Sequence, residues 1–250
     1  MVAPNETPGS ADHFWIGNVA DKLFLQSGAF TSTVRESLSV TSVDTTPLGV
    51  AWDGTNTPWC GRTDDKLYLQ SGSFTSTVKT SQLVSAVDIH PNGVSWDGTN
   101  TPWCGSEAWK LYLTSGQFTS TIKTSQSVST VDTGTEGISW DGNNTPWSGT
   151  ADEKYYLQSG QFTSTVKTSL SDPVNPSGIS WDGTNTPGID RPGAEDKLVL
   201  YSGQFTSTIK ASVDVNGTDA APADLDAANR YLLFAVSAVS VALLRRRGRA

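Results

Sequence analysis

Ser-Gly-x-Phe-Thr-Ser-Thr occurs five times in this chain, beginning at Ser27, Ser71, Ser115, Ser159 and Ser202, at spacings of 44, 44, 44 and 43 residues. A second phrase, Trp-Asp-Gly, begins at Trp52, Trp96, Trp140 and Trp181. A fixed period of this length means that one supersecondary unit is copied along the chain, and that each copy buries its apolar surface against its neighbours.

The unit from Gly93 shows what is copied. Four short runs are visible: Gly93–Trp96, Pro102–Gly105, Lys110–Thr114 and Thr119–Thr124. Val94 and Trp96 flank Ser95, and Leu111 and Leu113 flank Tyr112, a period of two that marks strands. Asp-Gly, Asn-Thr-Pro and Ser-Gly separate the runs. Each is a turn former: Gly accepts positive φ, Asp and Asn bond their own backbone, and Pro presets φ. No helical period is found before residue 224. Four antiparallel strands per unit can stack as a solenoid or close into a ring.

The segment Pro47-Leu48-Gly49-Val50-Ala51-Trp52-Asp53-Gly54, followed by Trp59, by Asp65-Lys66-Leu67-Tyr68 and by Ser71-Gly72, resembles a blade of the β-propellers of the NHL and YncE-like groups. The resemblance covers residues 12 to 214. It implies a fold and no particular activity, since such propellers host binding modules, scaffolds and some enzymes. The expected architecture is an all-β, five-bladed β-propeller of four-stranded blades about 44 residues long. His13-Phe14-Trp15-Ile16-Gly17 aligns with Thr57-Pro58-Trp59-Cys60-Gly61, so the first blade lacks its first strand. Adding the period to Trp181 gives Leu225, and Ala223 to Asn229 reads as a worn copy of the Trp-Asp-Gly segment. That segment is expected to pair with the N-terminal strands and seal the ring, leaving no open edge. Gly188 replaces the Trp of Trp59, Trp103 and Trp147, and an insertion from Ile189 to Gly193 follows, so this blade is expected to be irregular.

Residues 1–11 read as an N-terminal extension, 12–230 as the propeller and 231–250 as an apolar segment with an Arg-rich end. Met1 to Ser10 lacks the apolar core of a signal peptide. Tyr231 to Leu244 is shorter than the roughly 20 residues that span a bilayer. It reads as a membrane anchor or sorting tail, with arginines that favour the cytoplasmic side, or as a docked terminal element. A formal net charge of −8 with charged residues at 17% argues against a nucleic-acid footprint. Cys60 and Cys104 hold the same position in neighbouring copies, too far apart for a bridge whose Cα atoms must lie within about 7 Å. Ser148 and Ile16 stand there in other copies, so both cysteines read as small strand residues.

Asp53, Asp97, Asp141 and Asp182 recur strictly. A ring of carboxylates could hold a hard cation. The adjoining Gly and Asn favour an Asp-Gly turn bonded to its own backbone, so no metal and no cofactor is expected. Trp52, Trp96, Trp140 and Trp181 lie in alternating apolar strands and are expected to pack between blades. Trp15, Trp59, Trp103 and Trp147 lie near a turn. They are either core or a partly exposed platform for sugar rings or protein, and they are the candidate ligand residues. Trp109 stands in one copy only, where others carry Asp65 or Glu153, and is expected to be exposed. His13 and His90 are not equivalent and lie in no motif. Asp64-Asp65 and Asp152-Glu153 read as solvated turns. Asn5, Asn143 and Asn216 fit the Asn-x-Ser/Thr acceptor.

Near-identical copies suit repeated shallow sites better than the asymmetric set of groups that catalysis needs. Weak identical sites gain avidity on a multivalent surface. The expected role is a non-catalytic binding or adhesion propeller for glycan or protein, extracellular or on a cell or particle surface. A propeller-type lyase or hydrolase and a structural assembly component are the alternatives.

Overall fold

The protein is described here by a computed structural model that covers residues 13–17, 19–26, 34–74, 77–118, 121–162, 165–171, 175–181, 186–190, 197–203, 209–215 and 222–227. The first strands are β1 (His13–Gly17), β2 (Lys22–Gln26) and β3 (Val34–Ser39). The second blade has β4 (Pro47–Val50), β5 (Thr57–Gly61), β6 (Lys66–Gln70) and β7 (Val78–Leu83). The third has β8 (Pro91–Val94), β9 (Asn100–Gly105), β10 (Lys110–Ser115) and β11 (Ile122–Ser127). The fourth has β12 (Thr135–Ile138), β13 (Asn144–Gly149), β14 (Lys154–Ser159) and β15 (Val166–Ser171). The fifth has β16 (Pro176–Ile179), β17 (Thr186–Asp190), β18 (Lys197–Tyr201) and β19 (Ile209–Asp214), and β20 (Pro222–Ala227) ends the series.

These strands form five four-stranded antiparallel sheets, the blades of a five-bladed β-propeller. Within a blade the order follows the chain from the axis outward, as β4-β5-β6-β7. The innermost strands β4, β8, β12, β16 and β20 adjoin one another around the axis. Their glycines make this possible. A Cβ on Gly49 would stand 2.7 Å from the Val94 nitrogen and 2.8 Å from the Gly93 Cα, and one on Gly93 would stand 2.8 Å from the Glu136 carbonyl oxygen. Such distances leave no room for a methyl group, so the ring of inner strands needs glycine here.

The middle strands are covered on both faces. Every residue of β5 is buried, and β6 is buried after Lys66. Their alternation therefore separates two buried faces, each against a neighbouring blade, instead of inside from outside. The outermost strands differ: Lys79, Thr80 and Ser81 of β7 are exposed. Polar residues and lysine on the rim discourage edge-to-edge pairing.

The ring closes as the sequence predicts. β20 pairs with β1, so the first blade has the order β20-β1-β2-β3. The register is corrected, however. Leu225 opposes Trp15 as Val50 opposes Trp59, and Pro222 opposes Gly17 as Pro47 opposes Gly61. Leu225 thus takes the place of Val50, not that of a Trp-Asp-Gly tryptophan. Strand pairing, which the period cannot sense, decides the slot.

The described strands of the fifth blade pair regularly, and the rest of the expected insertion, 191–193, lies outside the described residues. β17 pairs with β18 in unbroken register from Thr186↔Tyr201 to Asp190↔Lys197, and Ile189 belongs to the strand. The space left by the missing tryptophan has a physical filler. A Cβ on Gly188 would lie 2.5 Å from the Tyr155 hydroxyl, which donates to the Ile189 carbonyl at 3.2 Å. Tyr155 stands where the second and third blades have Leu67 and Leu111, so a larger residue in one blade offsets a smaller one in the next.

Candidate functional site

Blade topology sorts the turns between two ends. β4 ends at a Trp-Asp-Gly turn and β6 ends at a Ser-Gly-x-Phe turn, so both turns lie at one end, the Trp-Asp-Gly face. The hairpin turns after β5 and the linkers into the next blade lie at the other end, the linker face.

On the Trp-Asp-Gly face each turn is built by its own aspartate. Asp53 Oδ1 accepts from the Thr55 and Asn56 nitrogens at 2.7 and 2.6 Å, and its Oδ2 accepts from Asn56 Nδ2 at 3.2 Å. Gly54 takes φ 94°, a value that favours glycine. Asp97 and Asp141 repeat these bonds with Asn100 and Asn144. Lys79 donates to Asn56 Oδ1 at 3.1 Å, Lys123 to Asn100 at 3.1 Å and Lys167 to Asn144 at 3.2 Å. Neighbouring blades are tied in as well: Gln117 Nε2 donates to Asp53 Oδ2, and Gln161 Nε2 to Asp97 Oδ2. The carboxylates are committed to amides, and among the described residues no group of three or more His, Cys, Asp or Glu side chains is placed to hold a metal ion. Asp182 lies outside the described residues.

Of the two readings of Trp15, Trp59, Trp103 and Trp147, core and platform, the structure takes the core. Trp15, Trp59, Trp103 and Trp147 are 0% exposed. They stack on Phe24, Tyr68, Tyr112 and Tyr156 at centroid distances of 4.1, 4.2, 4.2 and 4.2 Å. The platform reading is therefore corrected to core. Each faces its ring partner directly across the strand pair and is covered by the adjoining blade. Trp52, Trp96, Trp140 and Trp181 are half-buried at the Trp-Asp-Gly face. One of them, Trp52, stacks on Phe14 at 5.2 Å, so it packs, as expected, while part of the ring stays accessible.

The linker face carries a repeated feature that the phrases do not announce. Asp44, Asp88 and Asp132 are buried in the linkers. Asp44 accepts from the nitrogens of Thr46 at 2.8 Å and Asp64 at 2.9 Å, and Asp132 from Gly134 at 2.8 Å and Asp152 at 3.0 Å. Asp88 accepts from the Ala108 nitrogen at 3.2 Å and the Tyr112 hydroxyl at 3.1 Å. Each clamps a linker to the hairpin of the blade it enters. Burial holds the Asp88 carboxyl above its ordinary range, against the opposing bonds from Ala108 and Tyr112. The signal in the sequence was Val-Asp at the repeat period, at Val43, Val87 and Val131.

The remaining candidates have structural places. Asp64 and Asp152 are exposed and pair with Lys66 at 3.0 Å and Lys154 at 3.4 Å. The Lys66 ammonium holds Asp64 below the usual carboxylate range. The His90 nitrogen donates to Asp65. Cys60 and Cys104 are buried and form no disulfide. Asn143 is an exposed turn residue, whereas Asn5 and Asn216 lie outside the described residues, as does the segment 231–250. Trp109 is 37% exposed, on the linker face.

No protein-family model and no curated protein matches the chain. Solved structures do. A chain of the nidogen/laminin complex is similar over 88% of this chain and 98% of its own length, at 11% identity and a TM-score of 0.57. The glutaminyl cyclase of Myxococcus xanthus is similar over 77% of this chain and 93% of its own, at 10% identity and a TM-score of 0.55. A streptogramin B lyase covers 84% of this chain and 70% of its own, at 14% identity and a TM-score of 0.48. At such identities the likeness is one of fold, the β-propeller, shared by proteins of different function.

Proposed function

We propose that the chain is a non-catalytic binding propeller that presents repeated shallow sites for glycan or protein at a cell or particle surface. One observation carries this: Trp52, Trp96, Trp140 and Trp181 recur half-buried at one end of the molecule. Beside the first three stand the Asp-Asn-Lys sets of Asp53, Asp97 and Asp141. An indole offers a large rigid contact at small entropic cost, and fixed amides and ammonium groups around it supply polar contacts. Because the copies match, several weak contacts act together on a multivalent surface. The similar chain of the nidogen/laminin complex belongs to an assembly of two proteins, which supports a protein among the ligands to be tried first.

The test is binding of the full chain, displayed multivalently, to arrays of glycans and of surface proteins. Trp96→Ala and Trp140→Ala are each expected to lower avidity, and the pair to lower it more than either alone. Binding that is indifferent to both substitutions, or no binding at high valency, rejects the proposal. The surface location rests on the apolar run from Tyr231 to Leu244. Membrane fractionation with and without residues 231–250 tests it, and equal distribution of the two forms counts against it.

A further inference from the structure

On the linker face, the junction of the second and third blades departs from the repeat in one direction. Leu83 stands where Ser39 and Ser127 stand in other copies, Ile89 where Thr45 and Thr133 stand, and Trp109 where Asp65 and Glu153 stand. All three replacements are apolar and all are exposed: Leu83 by 60%, Ile89 by 36% and Trp109 by 37%, with Val87 at 41%. The fold brings Val87, Ile89 and Trp109 to one loop cluster, and Leu83 ends β7 where the linker 84–90 begins. The Ser106 nitrogen donates to the His90 carbonyl at 3.2 Å, the Ala108 nitrogen to Asp88 at 3.2 Å and the Tyr112 hydroxyl to the Val87 carbonyl at 3.4 Å. These bonds lay the linker 84–90 against the hairpin that carries Trp109.

Folding does not require these residues. The other blades are built with Ser, Thr, Asp or Glu at the same positions. Trp109 takes φ 47° at a hairpin position where Asp21, Asp65 and Glu153 take φ 48°, 52° and 54°, so a bulky indole stands in a left-handed turn that three other blades give to Asp or Glu.

We propose that this junction docks a short segment of another protein that carries two or three large apolar side chains. Size argues for a segment. Four partly exposed side chains offer roughly 300 Å² of apolar surface, whereas a stable dimer buries about 800 Å² on each partner. Charge argues against a second copy. Two copies, each with a net charge of −8, repel one another on approach.

The molecule supplies its own control. Leu83→Ser, Ile89→Thr and Trp109→Asp each install a residue that another blade already uses, so the triple variant keeps the fold. A phage library of random dodecapeptides is selected on the immobilised full chain, and the enriched peptides are titrated against both forms. The expected consensus has at least two large apolar residues. Its affinity should fall by about tenfold or more in the triple variant, as for loss of central anchors. Trp96→Ala on the opposite face should leave it unchanged, which separates this site from the ring of half-buried tryptophans. Failure to enrich any peptide, or equal binding to both forms, overturns the proposal. So does a wild-type dimer in light scattering that the triple variant dissolves, which assigns the patch to a second copy. Retention on phosphatidylcholine vesicles that the triple variant abolishes assigns it to lipid and overturns the proposal too. Should the triple variant melt lower than the wild type, Leu83→Ser alone, at the most exposed position, carries the same test.

Discussion

Tyr68, Tyr112 and Tyr156 show how much one residue can do in a repeat. Each ring stacks on a buried tryptophan, and each hydroxyl donates to a carboxylate: Asp64 at 3.2 Å, Asp88 at 3.1 Å and Asp132 at 3.2 Å. Burial, with the adjoining carboxylates, raises all three phenols above their ordinary value of 10.0. The folded chain therefore holds these protons where the unfolded chain releases them. Their contribution to stability is complete below pH 10 and is lost as pH rises through the raised values. In an alkaline titration followed by tyrosinate absorbance, these three phenols are expected to ionise together with unfolding. Ionisation near pH 10 with the far-ultraviolet spectrum intact would contradict it. The tryptophans beside them invite a second measurement. Trp103 is fully buried and donates to Thr114 Oγ1 at 2.9 Å, whereas Trp96 is half-buried. Trp103→Ala should cost about 3–5 kcal/mol in urea unfolding and Trp96→Ala clearly less; equal losses would mean the two sets are not differently buried.

At the scale of the strand, seams between blades explain which substitutions the copies tolerate. In the second blade Cys60 Sγ accepts from the Gly49 nitrogen at 3.1 Å and donates to the Pro91 carbonyl at 3.4 Å, joining β4, β5 and β8. In the fourth blade Ser148 makes the same two bonds, from Gly137 at 2.8 Å and to Ser177 at 3.3 Å. A hydroxyl does the work of the thiol. Cys60→Ser is expected to change stability by less than about 1 kcal/mol, while Cys60→Ala leaves two buried backbone groups short of a partner and costs about 1–3 kcal/mol. Thermal melts of the two variants decide this, and equal losses would remove the seam role. Period-two alternation, the turn chemistry of Asp53 and the exposure of Trp109 were legible in the sequence. The fate of the two tryptophan sets was not, because a blade is covered on both faces and alternation no longer separates inside from outside. Asp44, Asp88 and Asp132 escaped notice for a related reason. The bonds that tie each linker to its hairpin come from backbone nitrogens some 20 residues away, and backbone leaves no mark in a motif.

For the whole molecule the decisive element is β20, which makes a ring out of what would otherwise be an open array. It pairs with β1 at Phe14↔Asp226 and Trp15↔Leu225 and also adjoins β4 and β16, so it touches both neighbouring blades. It runs in the same sense as β4 and so ends at the Trp-Asp-Gly face. Only residues 228–230 separate it from the apolar run that begins at Tyr231. Two truncations then separate closure from the tail. Removal of residues 231–250 leaves β20 in place and is expected to leave melting temperature and oligomeric state unchanged. Removal of residues 222–250 strips the innermost strand of the first blade and exposes the edge of β1, a template for pairing with another chain. Loss of about five ladder bonds at about 1 kcal/mol each should lower the melting temperature by roughly 10 °C or more and produce dimers or aggregates. A synthetic peptide spanning residues 220–229 should restore both when added, since it refills the same slot. If the shorter truncation is as damaging as the longer, the tail and not β20 closes the molecule; if neither matters, the ring does not depend on its last strand.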